Sequence, residues 1–219
     1  MSIELFVFPI SPRAFRVLAV ANYLGLDYVQ HTIDLISGEQ RAPDYAALNP
    51  NMLMPTLKDG NYILWESHAI CQYLALKAPE RGLLPSDPLA RIDVTRWQFW
   101  DATHWDPACA VFSFEHVVKR LLKNPTPDPE VLSRAEPAFH KVAKVLNDHL
   151  RDKPFIAGNH LTLADLTIGA ALATADIAHY PLGAYDEIKR WFNELCMMPS
   201  WQKTLQSALA TTDDCSSKG

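Results

Sequence analysis

In the first part of the chain the hydrophobic positions fall into short runs of strand length, interrupted by one helical repeat. Ile3-Glu4-Leu5-Phe6-Val7-Phe8 is mostly apolar and ends at Pro9, as expected of a central strand covered on both faces. Ser11 at an N-cap and Pro12 at the first helical position then open a helix, in which Val17, Val20, Ala21 and Leu24 recur at helical spacing until Gly25 stops it. Tyr28 to Leu35 reads as a second strand, and a strand-helix-strand of this length implies a parallel pair with a right-handed crossover. Thr56-Leu57-Lys58, an Asp59-Gly60 turn and Tyr62-Ile63-Leu64-Trp65 make a strand pair, followed by a helix from Ser67 to about Lys77. The order is βαβ followed by ββα.

The pattern then changes. Ala78-Pro79-Glu80-Arg81-Gly82-Leu83-Leu84-Pro85-Ser86-Asp87-Pro88 holds three prolines and a glycine. A domain boundary is expected there, with one α/β domain over 1–78, a linker over 79–88 and an all-α domain over 89–219. Asp87-Pro88 opens a long helix through Trp97, Trp100 and His104, which Pro107 is expected to kink before it continues to about Leu122. Asp128-Pro129-Glu130 opens another, with Val131, Ala135, Phe139, Val142 and Leu146 on one face. Thr162 and Asp165 have the spacing of a capping box, flanked by Leu161 and Leu166 as a hydrophobic staple. Pro181 and Pro199 bracket a further helix with Ile188, Trp191, Phe192 and Leu195 inward, and Trp201 starts a last short one.

Composition narrows the function classes. With 219 residues, 48% hydrophobic and 21% charged, the chain can bury a sizeable core in one large domain or two small ones. The net charge of -5 argues against a nucleic-acid partner. No apolar run approaches the roughly 20 residues that span a bilayer, and the N-terminal MSIELFVFPISPR lacks the order of a signal peptide, so no membrane partner and a cytoplasmic address are expected. Cys71, Cys109, Cys196 and Cys215 are widely spaced and form no metal-ligand pattern, so no metal is expected and all four read as reduced and non-catalytic.

The candidate chemistry lies in Asn49 to Ile70, NPNMLMPTLKDGNYILWESHAI. If the Met54-Pro55 bond is cis, the chain turns sharply and Met54 offers a free backbone N–H and C=O. Ser67 and the first N–H groups of the next helix suit a carboxylate, and Glu66 suits an ammonium. An extended, peptide-like ligand with an α-amino acid end fits this arrangement. Glu66 and Ser67 are also what any helix start uses, and their weight comes from their spacing to Pro55.

This stretch resembles the glutathione-binding half of the cytosolic glutathione S-transferase family. In that family X-Pro pairs with the glutathione cysteinyl backbone and Glu-Ser holds the γ-glutamyl end. The resemblance implies a thioredoxin-like N-terminal domain followed by an all-α C-terminal domain, and it implies glutathione as co-substrate. Leu161-Thr162-Leu163-Ala164-Asp165 is similar to the folding segment of the family's helical domain. Ser11 followed by Arg16 resembles the serine-type, phi- or theta-like bacterial members, in which a serine at this place activates the glutathione thiol. A hydroxyl and a helix N-terminus beside a thiol both favour the thiolate. The other reading of Ser11 is a plain helix cap. Gln40 and Arg41 align with family positions that reach the glycyl carboxylate, where the alternative is a solvated surface loop.

The second substrate, a small electrophile, is expected in an apolar cleft between the domains. Trp97, Trp100, His104 and Phe112 on one side and Phe8, Ile10 and Phe15 on the other are its candidate walls. For the aromatic residues the competing assignment is core or subunit interface. The implied activity is transfer of glutathione to an electrophilic carbon or reduction of a peroxide, by a homodimer. The alternatives are a glutathione-dependent isomerase, dehalogenase or disulfide reductase, or a non-catalytic glutathione-binding stress protein.

Overall fold

The computed structural model describes the backbone of residues 2–217 and the side chains of residues 2–209. The chain divides into two compact units, Met1–Gly82 together with Met198–Gly219, and Leu83–Met197.

The first unit is built on a four-stranded sheet in the order β2-β1-β3-β4, with β1 (Ile3–Val7), β2 (Tyr28–Thr32), β3 (Thr56–Asp59) and β4 (Tyr62–Trp65). β1 runs parallel to β2, with Ile3 opposite Tyr28, and antiparallel to β3, with Leu5 opposite Leu57. Its alternation decides the faces. Ile3, Leu5 and Val7 are buried in the core, whereas Glu4 pairs with Lys58 of β3 at 2.8 Å and His31 of β2 at 3.0 Å. Those two partners, Lys58 foremost, hold the Glu4 carboxyl below its ordinary range.

α1 (Pro12–Leu24) and α3 (Ser67–Lys77) belong to this unit, and α1 ends where Gly25 turns left-handed at φ 71°. β2 stops sooner than the apolar pattern suggested. The Asp34 carboxylate accepts from the N–H groups of Ile36 and Ser37 and turns the chain out of the sheet. A 3-10 turn at Glu39–Arg41 and the short α2 (Pro43–Leu48) follow, both too brief to show a periodicity.

The largest departure concerns the chain's end. α10 (Pro199–Ser217) has 19 residues and is grouped with the first unit, not with the helical one. Trp201 meets Phe15 edge-on at 4.9 Å, and Asn22 donates to the Thr204 hydroxyl at 2.8 Å. Helical spacing announces such a helix, but nothing in it specifies which neighbour it covers.

The second unit is helical. α4 (Pro88–Trp100), α5 (Asp106–Ser113) and α6 (Lys119–Leu121) follow one another through π-helical turns at Asp101–Trp105 and Phe114–Val118. The first of these turns ends two residues before Pro107, where a widened turn accommodates a residue that has no N–H to give. α7 (Pro129–Leu150) is capped by Asp128 and contains Pro137. Its buried stripe is Phe139, Ala143, Leu146 and Leu150, so of the expected face only Phe139 and Leu146 point fully inward. α8 (Leu163–Gly169) carries the expected capping box between Thr162 and Asp165. α9 (Asp186–Cys196) buries Ile188, Trp191 and Leu195, with Phe192 half-buried. Cys71, Cys109 and Cys196 are free thiols, and Cys215 lies outside the described side chains.

Candidate functional site

Strand register brings the candidate residues together. Thr56 pairs with Trp65, so Pro55, just before β3, lies beside Glu66, just after β4. A cavity of about 260 Å³ opens there, lined by Arg13, Asn49, Asn51, Leu53, Met54, Pro55, Glu66 and Ser67. The Met54-Pro55 bond is cis. Among the described residues, the backbone N–H and C=O of Met54 make no hydrogen bond. An extended ligand therefore finds a donor and an acceptor of one residue presented together, as the edge of a sheet presents them.

The loop before Pro55 is held by side chains. Buried Asn49 donates from Nδ2 to the Leu53 carbonyl at 2.7 Å and to the Thr56 hydroxyl at 3.1 Å, and its Oδ1 accepts from the Asn51 N–H at 3.0 Å. Tyr45 donates to the same Leu53 carbonyl at 2.7 Å. Burial keeps the Tyr45 phenol up, and hence protonated for this bond.

Across the cavity Glu66 has φ 73° and ψ 112°, a conformation that L residues rarely adopt and that tends to be retained where function needs it. It leaves the Glu66 side chain exposed while its carbonyl accepts the first helical bond, from Ile70 N–H at 2.9 Å. Ser67 is buried at the first helical position of α3, with the Arg16 guanidinium behind it at 3.3 Å. The unsatisfied N–H groups of the first turn and the positive end of the α3 dipole favour an anion at this corner.

Ser11 stands at the N-cap of α1, but its hydroxyl makes no capping bond. Its backbone does the local work: the N–H donates to the Phe8 carbonyl and the carbonyl accepts from Phe15 N–H, each at 2.8 Å. A plain helix cap is therefore not what this side chain does.

Of the residues singled out for glutathione and its thiol, Met54, Pro55, Glu66 and Ser67 line one cavity, while Ser11 at the start of α1 and Gln40 and Arg41 on the Glu39–Arg41 turn are outside its lining. Arg13, Asn49, Asn51 and Leu53 complete the lining and were not singled out. Arg13 is signalled only by its place two residues after Ser11, and Asn49 and Asn51 only by a turn-forming Asn-Pro-Asn.

The expected walls of the second site fall into two groups. Phe8 and Phe15 are buried in the first unit, with Ile10 half-buried, and Trp97 and Phe112 are buried in the second. Trp97 packs on Trp100 and His149, and Phe112 packs on Phe139 and Tyr180. These four buried rings serve as core. Trp100 and His104 instead line a groove of about 470 Å³ between the α4–α5 stretch and α7, together with Val111, Ala138 and Val142.

No group of three or more His, Cys, Asp or Glu suited to a metal ion occurs among the described residues, and none of their helices is long and apolar enough to cross a membrane.

Residues 1–76 match the family model described as glutathione S-transferase, N-terminal domain, and residues 129–194 match the one described as glutathione S-transferase, C-terminal domain. The chain is 31% identical over 210 residues to glutathione S-transferase D7 of Drosophila melanogaster, covering 94% of this chain and 90% of that one. It is 33% identical over 210 residues to glutathione S-transferase 3 of Zea mays, covering 93% of each. A solved glutathione S-transferase III in apo form superposes with a TM-score of 0.84 at 30% identity, over 95% of this chain and 97% of that one. A glutathione S-transferase I bound with lactoylglutathione gives 0.85 at 26% identity, over 94% and 99%.

Proposed function

The chain belongs to the glutathione S-transferase family, and from that premise we propose that the cavity around Met54, Pro55, Glu66 and Ser67 holds glutathione with its thiol at Ser11. The protein is a glutathione transferase with glutathione as co-substrate. In the proposed pose the cysteinyl backbone pairs with the free N–H and C=O of Met54, the γ-glutamyl carboxylate meets Ser67 and the start of α3, and the γ-glutamyl ammonium meets Glu66. Gln40 and Arg41 are the proposed partners of the glycyl carboxylate, for which the forked guanidinium is suited.

The proposed chemistry needs one deprotonation. The glutathione thiol gives its proton to solvent, the Ser11 hydroxyl donates a hydrogen bond to the thiolate, and the sulfur attacks the electrophilic carbon while the leaving group departs with its electron pair. The protein contributes orientation and a stabilised anion. The observation that carries this assignment is the Ser11 hydroxyl, which stands at a helix start yet caps nothing.

A homodimer and a reducing, cytoplasmic compartment complete the proposal. Tyr62, Ile63 and Trp65 of edge strand β4 and Leu76 of α3 are exposed apolar residues of one unit, of the kind a partner surface covers. The free thiols Cys71, Cys109 and Cys196 fit a compartment that also keeps glutathione reduced.

The test is conjugation of glutathione to a halonitroaromatic, followed by absorbance, with wild type and Ser11→Ala compared. Turnover that depends on Ser11 supports the assignment. Retention on immobilised glutathione with no turnover of any electrophile overturns it in favour of a binding protein.

A further inference from the structure

Arg16 occupies a place where charge is rare. It is 1% exposed, on a helix whose neighbouring residues Phe15, Val17, Leu18 and Ala19 are all core, and the Cys71 thiol of α3 packs against its backbone carbonyl. Its guanidinium runs to the start of α3. There Nη1 lies 3.3 Å from Ser67 Oγ and 2.7 Å from His68 Nε2.

A guanidinium has only donors, so the acceptor at each of these contacts is fixed. Ser67 Oγ accepts from Arg16, and His68 Nε2 presents its lone pair to the same group. A serine hydroxyl has one proton and two lone pairs. With one lone pair engaged from the α1 side, the proton is free to be donated on the cavity side, where Ser67 is part of the lining. A hydroxyl that accepts from a cation is also a stronger donor, because hydrogen bonds in a chain polarise one another.

We propose that Arg16 is a positioning residue for glutathione, aiming the Ser67 hydroxyl into the cavity and making that corner selective for the α-carboxylate of the γ-glutamyl end. This rests on the assignment of that carboxylate to Ser67 and deepens it. Two fields of the same sign meet at this point, the buried guanidinium and the N-terminal end of α3. A cation placed beside a helix N-terminus is unfavourable by itself, and a carboxylate bound at Ser67 offsets both. An uncharged end on the same peptide gains nothing from either.

A role in packing alone would not depend on which group the ligand carries, and this separates the two cases. Dissociation constants are measured by calorimetry on the full-length chain for glutathione and for γ-aminobutyryl-cysteinylglycine, which lacks only the α-carboxylate. The proteins are wild type, Arg16→Met, Arg16→Lys, Ser67→Ala and the Arg16→Met/Ser67→Ala double variant, with kcat and KM measured alongside. Arg16→Met is expected to weaken glutathione roughly tenfold, as loss of one hydrogen bond to a charged group does, and to leave the analogue unchanged. The loss is expected in KM, with kcat kept within about twofold, since only binding is touched. In the Ser67→Ala background Arg16→Met is expected to cost less than in wild type, because the part of its effect carried by the Ser67 hydroxyl is already gone.

Equal weakening of both peptides, or a full additional loss in the Ser67→Ala background, overturns the proposal and makes Arg16 a core residue. Should Arg16→Met not fold, Arg16→Lys keeps the charge without the fork, and equal losses for the two peptides overturn the proposal there too. Wild type that does not distinguish the two peptides removes the carboxylate assignment itself, a different failure from the loss of Arg16 alone.

Discussion

Trp191 donates its indole N–H to Oδ1 of Asp165 at 3.0 Å, within a site where that carboxylate is completely buried. The same carboxylate accepts from the backbone N–H of Ile156 at 2.8 Å and of Thr162 at 2.9 Å, and from the Thr162 hydroxyl at 3.0 Å. One side chain thereby ties α8, α9 and the segment before α8. Asp165→Ala strands two buried backbone donors and one indole N–H, each costing about 1–3 kcal/mol, so a loss on the order of 3 kcal/mol or more in urea unfolding is expected. Trp191→Phe removes a single donor and is expected to cost about 1 kcal/mol from that bond, leaving the other partners of Asp165 in place. Equal losses for the two variants would show that ring packing, not the carboxylate, holds this corner.

Ser11→Ala tests the thiolate. Loss of a hydrogen bond to a charged sulfur, worth about 1.5–3 kcal/mol, raises the pKa of bound glutathione by about one to two units and lowers kcat/KM accordingly. The thiolate absorbance of the binary complex, titrated against pH, measures it directly. Because the Ser11 hydroxyl caps nothing, the helix itself is expected to keep its stability in this variant. An unchanged thiol pKa removes Ser11 from the chemistry.

Local signals are legible along this chain and distant ones are not. Ser11-Pro12, Asp87-Pro88, Asp128-Pro129 and Thr162 each start a helix, because capping and proline geometry are settled within one turn of chain. Met54, Pro55, Glu66 and Ser67 converge for a similar reason, since a hairpin with a short turn fixes which residues end side by side. The grouping of α10 with the first unit is not legible in the sequence, because α1 lies far back in the chain, where no pattern along it points. The aromatic residues are ambiguous in the same way. Trp97 and Trp100 are near neighbours on one helix, yet one is core and the other lines a groove, and the difference lies in the helices packed against them. In the sequence Arg16 stands out only through the family resemblance, because its contact with Ser67 spans fifty-one positions.

Stability is expected to fall as pH drops below 6.5, through His149. Its Nε2 lies 2.8 Å from the Ile156 carbonyl, which can only accept, so Nε2 carries the proton, while Nδ1 faces the Lys153 ammonium at 3.3 Å and presents a lone pair. Burial, in first place, pushes the His149 pKa below 6.5, against the bond to Ile156, which favours the charged form. Between that lowered value and 6.5 the unfolded chain binds more protons than the folded one, so stability is lost as pH falls through this window and is unaffected above it. His149→Gln removes the titration. Urea midpoints of wild type and His149→Gln are expected to run in parallel above 6.5 and to diverge below it, with wild type falling faster. Parallel curves throughout would assign acid sensitivity to other groups.

Glu66 allows side chain and backbone to be separated. Its φ of 73° with ψ 112° is a sparsely populated conformation that costs an L residue about 1–3 kcal/mol, whichever side chain it carries. Glu66→Ala keeps that cost and loses the carboxylate proposed for the γ-glutamyl ammonium; Glu66→Gly loses the same carboxylate and relieves the backbone. Both are expected to weaken glutathione to a similar extent, by about tenfold for one charged contact. Glu66→Gly is expected to be the more stable of the two by roughly 0.5–1 kcal/mol, after glycine's greater freedom in the unfolded chain is subtracted. Calorimetric titration and thermal unfolding of the pair measure the two effects apart. If Glu66→Gly binds glutathione much more weakly than Glu66→Ala, the backbone conformation and not the carboxylate is what the ligand requires at this position.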